Sequence, residues 1–111
     1  MANLLNQKGE NAEALKAFNR ALEIDPDYTY SQYGKAMVLE DLNRDKEALE
    51  LYEEINRTDP NYLCSWNNKG ILLKKFGNKE MALDSYNKAL EIDPSYTLAH
   101  YNKGLLLRDW Q

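Results

Sequence analysis

The sequence predicts an all-α protein built from tandem antiparallel helix hairpins, and two features carry this prediction. First, the three prolines, Pro26, Pro60 and Pro94, are spaced by 34 residues, a length typical of a two-helix repeat. Second, apolar residues recur at spacings of three and four on both sides of a short break, as they do on amphipathic helices. A repeating pair of helices accounts for both observations.

The 34-residue period extends well beyond the prolines. Residues 23–26, Glu-Ile-Asp-Pro, recur unchanged at 91–94. Leucine, alanine and aromatic residues follow the same spacing in the columns Leu5, Leu39, Leu73 and Leu107; Ala14, Ala48 and Ala82; and Phe18, Tyr52 and Tyr86. We therefore expect one domain, 1–111, with an incomplete repeat at 1–28, repeats at 29–62 and 63–96, and the first helix of a truncated repeat at 97–111.

Glycine, asparagine and proline indicate where the helices end. Gly9, Asn43 and Gly77 share one column and tolerate the left-handed conformation that commonly follows a helix. An Asp-Pro pair ends the second helix of each hairpin, because a residue before proline is pushed out of the helical region. These signals predict helices near 2–8, 11–24, 29–42, 45–58, 63–76, 79–92 and 97–110.

Small and large residues alternate between the two helices of a hairpin. Each predicted first helix carries a small residue in one column, namely Ala36, Gly70 and Gly104. Large side chains, among them Trp66, Tyr52 and Tyr86, lie beside these small positions. This alternation is what interdigitated helix packing requires, and stacked repeats of this kind bury a continuous core.

At this point the chain resembles the tetratricopeptide repeat (TPR) family. The family's pattern is matched by Trp66, Gly70, Leu73, Ala82, Tyr86, Ala89 and Pro94, and the resemblance covers the whole chain. It implies a right-handed superhelical stack of helix hairpins, an α-solenoid, in which first helices line a concave groove. The chain departs from the pattern at one lysine column, Lys35, Lys69 and Lys103, and in the degenerate second repeat at Gln32, Ile55, Asn56 and Thr58.

Composition and charge exclude several classes of function. The net charge of −4 works against binding to nucleic acid, which depends on neutralising phosphates. The longest apolar stretches fall far short of the roughly 20 residues that a transmembrane helix needs. The first ten residues lack the features of a secretory signal, and Cys64 is the lone cysteine, so we expect a cytoplasmic protein without membrane contacts.

The sequence offers no catalytic or metal-binding constellation. His100 is the single histidine, and because it shares a column with Gln32 and Trp66 we expect it to have a packing role. Cys64 and His100 show none of the recognised metal-ligand spacings, and no glycine-rich phosphate loop is present. We therefore predict neither an enzyme, nor a metal site, nor a cofactor.

The resemblance implies that a protein or peptide partner binds in the groove. Tyrosine provides a large contact area and asparagine can both donate to and accept from a peptide backbone, although such a face is also compatible with a merely soluble exterior. By the resemblance, the groove is lined by Tyr30, Tyr33, Gly34, Met37, Asp41, Asn67, Asn68, Ile71, Lys74, Leu98, Tyr101, Asn102, Leu105 and Arg108. Asn68 and Asn102 match the asparagine ladder of some family members.

Another family mode, a clamp for the C-terminal carboxylate of chaperone tails, is disfavoured. Its columns hold Gly34, Cys64 and Leu98 where polar or basic residues are needed, and only Asn3, Asn68 and Asn102 are compatible.

Two alternatives to peptide binding stay open from the sequence. The final helix has no second helix of its own, so a strip formed by Leu106, Leu107 and Trp110 is expected to be exposed. Such a strip favours a self-associating array, and a homo-oligomer through this helix is one possibility. The chain could also be a regulatory fragment of a larger multidomain protein.

Overall fold

The protein is helical throughout the part that the structure, a computed structural model, describes: residues 4–110, with side chains from residue 9 onward. The helices are α1 (Leu4–Ile24), α2 (Thr29–Asp41), α3 (Asp45–Thr58), α4 (Leu63–Lys75), α5 (Lys79–Ile92) and α6 (Thr97–Asp109). Residues 4–110 contain no strand, which confirms the predicted all-α class, and from Thr29 onward every helix ends within one residue of its prediction. No helix in this range is long and apolar enough to cross a bilayer.

The predicted break at Gly9 is wrong, because α1 continues through it as a single helix. At the equivalent positions Asn43 and Gly77 the chain does turn, with φ of 62° and 85°. A glycine weakens a helix but does not end it unless other contacts favour the turn. Residues 2 and 3 of the predicted first helix lie outside the described residues.

The chain forms two compact units, one up to Thr58 and one from Asp59 onward. In the first unit α2 packs against α1 and α3. In the second unit α5 packs against α4 and α6, and α4 also contacts α6. Each unit therefore has its own core.

An aromatic ring of one helix fills the space above a glycine of its neighbour in both units. In the second unit Tyr86, 1% exposed, lies so close to Gly70 that an added Cβ would stand 2.5 Å from the ring. In the first unit the ring of Phe18 on α1 lies over Gly34 of α2, a residue that shares the column of Asn68 and Asn102 rather than that of Gly70. The predicted pairing of large and small residues is confirmed for Tyr86 and Gly70, and this contact fixes how closely α4 and α5 approach.

A side-chain hydrogen bond to a proline carbonyl recurs at the turn before each first helix. The Nε1 of Trp66 donates to the carbonyl oxygen of Pro60 at 2.7 Å, and the Nε2 of Gln32 donates to that of Pro26 at 3.1 Å. The Nε2 of His100 stands 2.7 Å from the carbonyl oxygen of Pro94. Because a carbonyl only accepts, this contact requires the tautomer with a protonated Nε2. The packing role predicted for His100 is wrong. Its side chain is exposed, and its Nε2 hydrogen-bonds to the turn before α6.

This repeated hydrogen bond predicts that stability depends on the side-chain N–H donor at position 100 and not on the imidazole ring. His100→Gln keeps an N–H donor of the kind that Gln32 uses and should leave the free energy of unfolding unchanged. His100→Leu removes the donor and should cost about 0.5–1.5 kcal/mol, the usual net value of one hydrogen bond. Urea unfolding of both variants measures the difference; equal loss of stability in the two would contradict the donor role.

Burial of Tyr86 predicts a loss of stability at high pH. Desolvation raises the pKa of the Tyr86 phenol from 10.0 to about 12, because burial disfavours the charged form. The folded state therefore holds this proton when the unfolded state has lost it. The resulting contribution of Tyr86 to the free energy of unfolding is complete below pH 10 and is lost as the pH rises toward 12. Between pH 8 and 11.5 this loss amounts to about 2 kcal/mol.

Urea unfolding at these two pH values tests the assignment. On the same rise in pH, the free energy of unfolding of Tyr86→Phe should fall by about 2 kcal/mol less than that of the wild-type chain. Tyr101→Phe is the matched control, because Tyr101 is 63% exposed, and it should follow the wild type. Identical pH dependence in all three proteins would show that Tyr86 ionises without penalty in the folded state.

Candidate functional site

An asparagine pair connects the two first helices of the second unit. The Nδ2 of Asn102 on α6 donates to the Oδ1 of Asn67 on α4 at 2.9 Å. Asn67 is only 3% exposed, so this bond satisfies a polar atom that would otherwise be costly to bury. The bond also fixes the orientation of the Asn102 amide on the half-buried face between α4 and α6.

The structure assigns different positions to the two neighbouring asparagines of α4. The repeat spacing pairs Asn68 with Asn102, yet the residue that hydrogen-bonds to Asn102 is Asn67. Asn68 is half-buried and has interactions of its own. Asn67 is therefore the buried asparagine that holds α6 against α4, and Asn68 is the more exposed of the two neighbours.

An ion cluster forms a second connection between α4 and α6. The Nζ of Lys74 lies 3.0 Å from the Oδ2 of Asp109, and the Nε of Arg108 lies 3.1 Å from its Oδ1. Hydrogen bonds from Lys74 and then Arg108 lower the pKa of the Asp109 carboxyl. Because Asp109 is solvent-exposed, its main effect is to orient the two cations rather than to stabilise the fold. Sequence analysis missed Asp109, since no repeat column singles it out.

Apolar side chains stand exposed beside these polar connections. Ile71 on α4 is 41% exposed, and on α6 Leu98 and Tyr101 are 54% and 63% exposed. Residues three and four apart share one side of a helix. The groove residues predicted on α6 follow this spacing: Leu98, Tyr101, Leu105 and Arg108. We call the surface formed by Asn68, Ile71, Lys74, Leu98, Tyr101, Asn102, Leu105 and Arg108 the α4–α6 face.

The remaining predicted groove residues belong to α2 in the first unit. Tyr30 and Met37 are 66% and 44% exposed. Tyr33 is half-buried, with its ring centroid 6.0 Å from that of the buried Tyr52. Tyr30, Tyr33 and Met37 are spaced by three and four residues, so they lie on one side of α2. The predicted Asp41, at the end of α2, is also exposed.

The three positions that the resemblance assigns to a carboxylate clamp, Gly34, Cys64 and Leu98, carry no cation. The space above Gly34 is filled by Phe18, and Leu98 presents an exposed apolar side chain. The Sγ of Cys64 accepts a hydrogen bond from the Oη of Tyr96 at 3.7 Å. Asn3, one of the compatible positions, lies outside the described residues. Within residues 4–110, no group of three His, Cys, Asp or Glu side chains could hold a metal ion.

Two family models, both described as tetratricopeptide repeat, match the chain at residues 5–63 and 64–96. No curated protein sequence matches it significantly. Among solved structures, YrrB, described as a TPR protein with an unusual peptide-binding site, is 27% identical with a TM-score of 0.79. The alignment covers 86% of this chain but 50% of the YrrB chain, so this chain spans half the length of YrrB.

Two further structures share the fold. The first TPR of Spaghetti (RPAP3), bound to the HSP90 peptide SRMEEVD, is 17% identical with a TM-score of 0.83, covering 92% of this chain and 81% of its own. The O-GlcNAc transferase of Thermobaculum terrenum, as a K341M mutant, is 25% identical with a TM-score of 0.81, covering 91% of this chain and 19% of the enzyme. The helix hairpins, the aromatic and glycine packing and the two family matches lead to one conclusion: this chain belongs to the tetratricopeptide repeat family.

Proposed function

We propose that this protein is a non-catalytic interaction scaffold that binds an extended segment of a partner protein along the α4–α6 face. The observation that carries the proposal is the combination of exposed apolar side chains with an asparagine amide already held in place. The TPR fold is a scaffold for protein interaction, and two proteins with similar structures are described by their peptide binding or bound peptide. The partner itself is defined by the chemistry of the face.

Tyr101 and Asn102 supply complementary contacts on α6. An exposed tyrosine offers a large, stiff contact surface at a small cost in side-chain entropy. Because the Nδ2 of Asn102 is bound to Asn67, its planar amide is oriented before a ligand arrives. The Oδ1 of the same amide can then accept an N–H from a peptide backbone. Leu98 and Ile71 would take up apolar side chains of that peptide.

The charges on the α4–α6 face favour an internal peptide segment over a C-terminal carboxylate. Asp109 already engages Lys74 and Arg108, and the clamp positions Gly34, Cys64 and Leu98 hold no cation. A mainly apolar, extended segment would therefore bind better than an acidic chain end. We further propose that Tyr30, Tyr33 and Met37, which share one side of α2, bind partner side chains in the first unit.

Loss of Asn68 and Asn102 should weaken peptide binding while the helix content stays unchanged. Because the buried Oδ1 of Asn67 then lacks its partner, the free energy of unfolding should also fall by about 1–3 kcal/mol. Peptides selected from a random display library on the immobilised full chain serve as probes. Asn68→Ala with Asn102→Ala should weaken their binding by about 1–3 kcal/mol, because an unpaired polar group at an interface is costly. Titration calorimetry measures the affinity and far-UV circular dichroism checks helix content.

The matched control is Asn19→Ala, which removes an exposed asparagine from α1 and should leave peptide affinity unchanged. Tyr101→Ala should weaken binding to a similar extent as the double variant. Peptides that bind the double variant and Tyr101→Ala as tightly as the wild-type chain would show that the α4–α6 face is not the binding site.

A further inference from the structure

Buried residues fix helix α6 where it packs against α5 and contacts α4. Ala99 and Leu106 are fully buried, whereas Leu107 and Trp110 are 42% and 39% exposed. The sequence-based expectation of an exposed strip is therefore confirmed for Leu107 and Trp110 but wrong for Leu106. Because Leu106 lies in the core, the last turn of α6, which carries Asp109, is held beside α4.

Asp109 uses both of its carboxylate oxygens on the two cations of the α4–α6 face. Its Oδ2 accepts a hydrogen bond from the Nζ of Lys74 at 3.0 Å, and its Oδ1 accepts one from the Nε of Arg108 at 3.1 Å. A lysine ammonium has three N–H donors and an arginine guanidinium has five, so one contact to Asp109 leaves further donors on each cation.

The carboxylate of Asp109 reduces the charge that this cluster presents to a ligand. Two cations with one carboxylate leave a single net positive charge, whereas Lys74 and Arg108 alone would present two. A ligand carboxylate must either displace Asp109 or approach it at short range against repulsion. Asp109 has the advantage, because it belongs to the same chain and loses less freedom on pairing. Its lowered pKa keeps it ionised at neutral pH.

The ion cluster lies within reach of a peptide that contacts Tyr101. Arg108 follows Tyr101 by two helical turns on the same side of α6, about 10 Å further along the axis. An extended peptide covers this distance in about three residues. On α4, Lys74 follows Ile71 by one turn. A segment bound along the α4–α6 face therefore places one of its side chains at the cluster.

We propose that Asp109 determines the charge preference of the α4–α6 face, so that this end of the face selects a partner segment with an uncharged acceptor side chain, such as glutamine or asparagine, over one with glutamate or aspartate. Lys74 and Arg108 act there as hydrogen-bond donors to a neutral oxygen. Asp109 is thus a specificity-determining residue that need not contact the partner. The inference rests on the proposed function, because it requires a peptide segment on this face.

Parallel selection of one random display library on the wild-type chain and on Asp109→Asn tests the proposal. Peptides from Asp109→Asn should be enriched in glutamate or aspartate at one position where peptides from the wild type carry an uncharged residue. Synthetic pairs that differ only by glutamate or glutamine at that position are then compared by titration calorimetry.

The glutamate peptide should bind Asp109→Asn at least about threefold more tightly than it binds the wild type, a gain of the size expected for an exposed ion pair. The glutamine peptide should bind the two proteins equally. In about 0.5 M salt the gain should disappear, because exposed charges are screened. Mere loosening of α6 by the substitution would instead weaken both peptides.

Asp84→Asn is the matched control, because it removes an exposed aspartate from α5 and should leave the ratio of the two affinities unchanged. Lys74→Gln added to Asp109→Asn should abolish the gain for the glutamate peptide, since it removes one of the released cations.

The possible failures are distinguishable. If the ratio of the two affinities is the same in the wild type and Asp109→Asn, while Asn68→Ala with Asn102→Ala still weakens both peptides, this proposal is overturned and the proposed function stands. Weaker binding of both peptides to Asp109→Asn would make Asp109 a structural residue and also overturn the proposal. If neither protein selects any peptide, the proposed function and this inference fail together.

Discussion

The second unit depends on one packing contact, the ring of Tyr86 against the backbone of Gly70. Because glycine has no side chain, the tyrosine ring occupies the space of a Cβ, and α4 and α5 approach closely. That approach buries Ala82 and Leu72 and gives α6 a surface on which Ala99 and Leu106 are buried. The Asn67–Asn102 bond and the Lys74–Asp109 pair form only because α6 lies beside α4. The proposed binding surface therefore depends on a contact on another side of α4.

Polar contacts at the turns restrict how each first helix begins. The side-chain N–H of Trp66 and that of His100 each bond to the carbonyl of a proline six residues earlier. Proline cannot donate a hydrogen bond, but its carbonyl still needs a partner. Three chemically different side chains, those of Gln32, Trp66 and His100, serve this purpose. What the three repeats share in this column is therefore an N–H donor and not a side-chain shape.

Sequence analysis predicted the helix pairs well because the information is local and repeated. The proline period fixed the turns, and Gly77 and Asn43 have the positive φ that their column implied. It failed at Gly9, because a glycine weakens a helix without ending it unless other contacts favour the turn, and no local signal reports such contacts. It also did not identify Asn67 as the residue that hydrogen-bonds to Asn102 of α6, since adjacent helix residues differ by 100° and only the neighbouring helix decides which of them it contacts. The role of His100 was missed because its column with Gln32 and Trp66 was interpreted as a packing position, although all three side chains carry an N–H donor.

A double-mutant cycle between Gly70 and Tyr86 tests the packing contact most directly. The free energy of unfolding in urea is measured for the wild-type chain, Gly70→Ala, Tyr86→Leu and the double variant. The leucine lacks the ring atoms that would meet a Cβ at Gly70, so Gly70→Ala should cost about 1–3 kcal/mol in the wild-type chain and be neutral or stabilising beside Leu at position 86. An equal cost of Gly70→Ala in both backgrounds would show that the two residues do not act on each other, and would contradict the account.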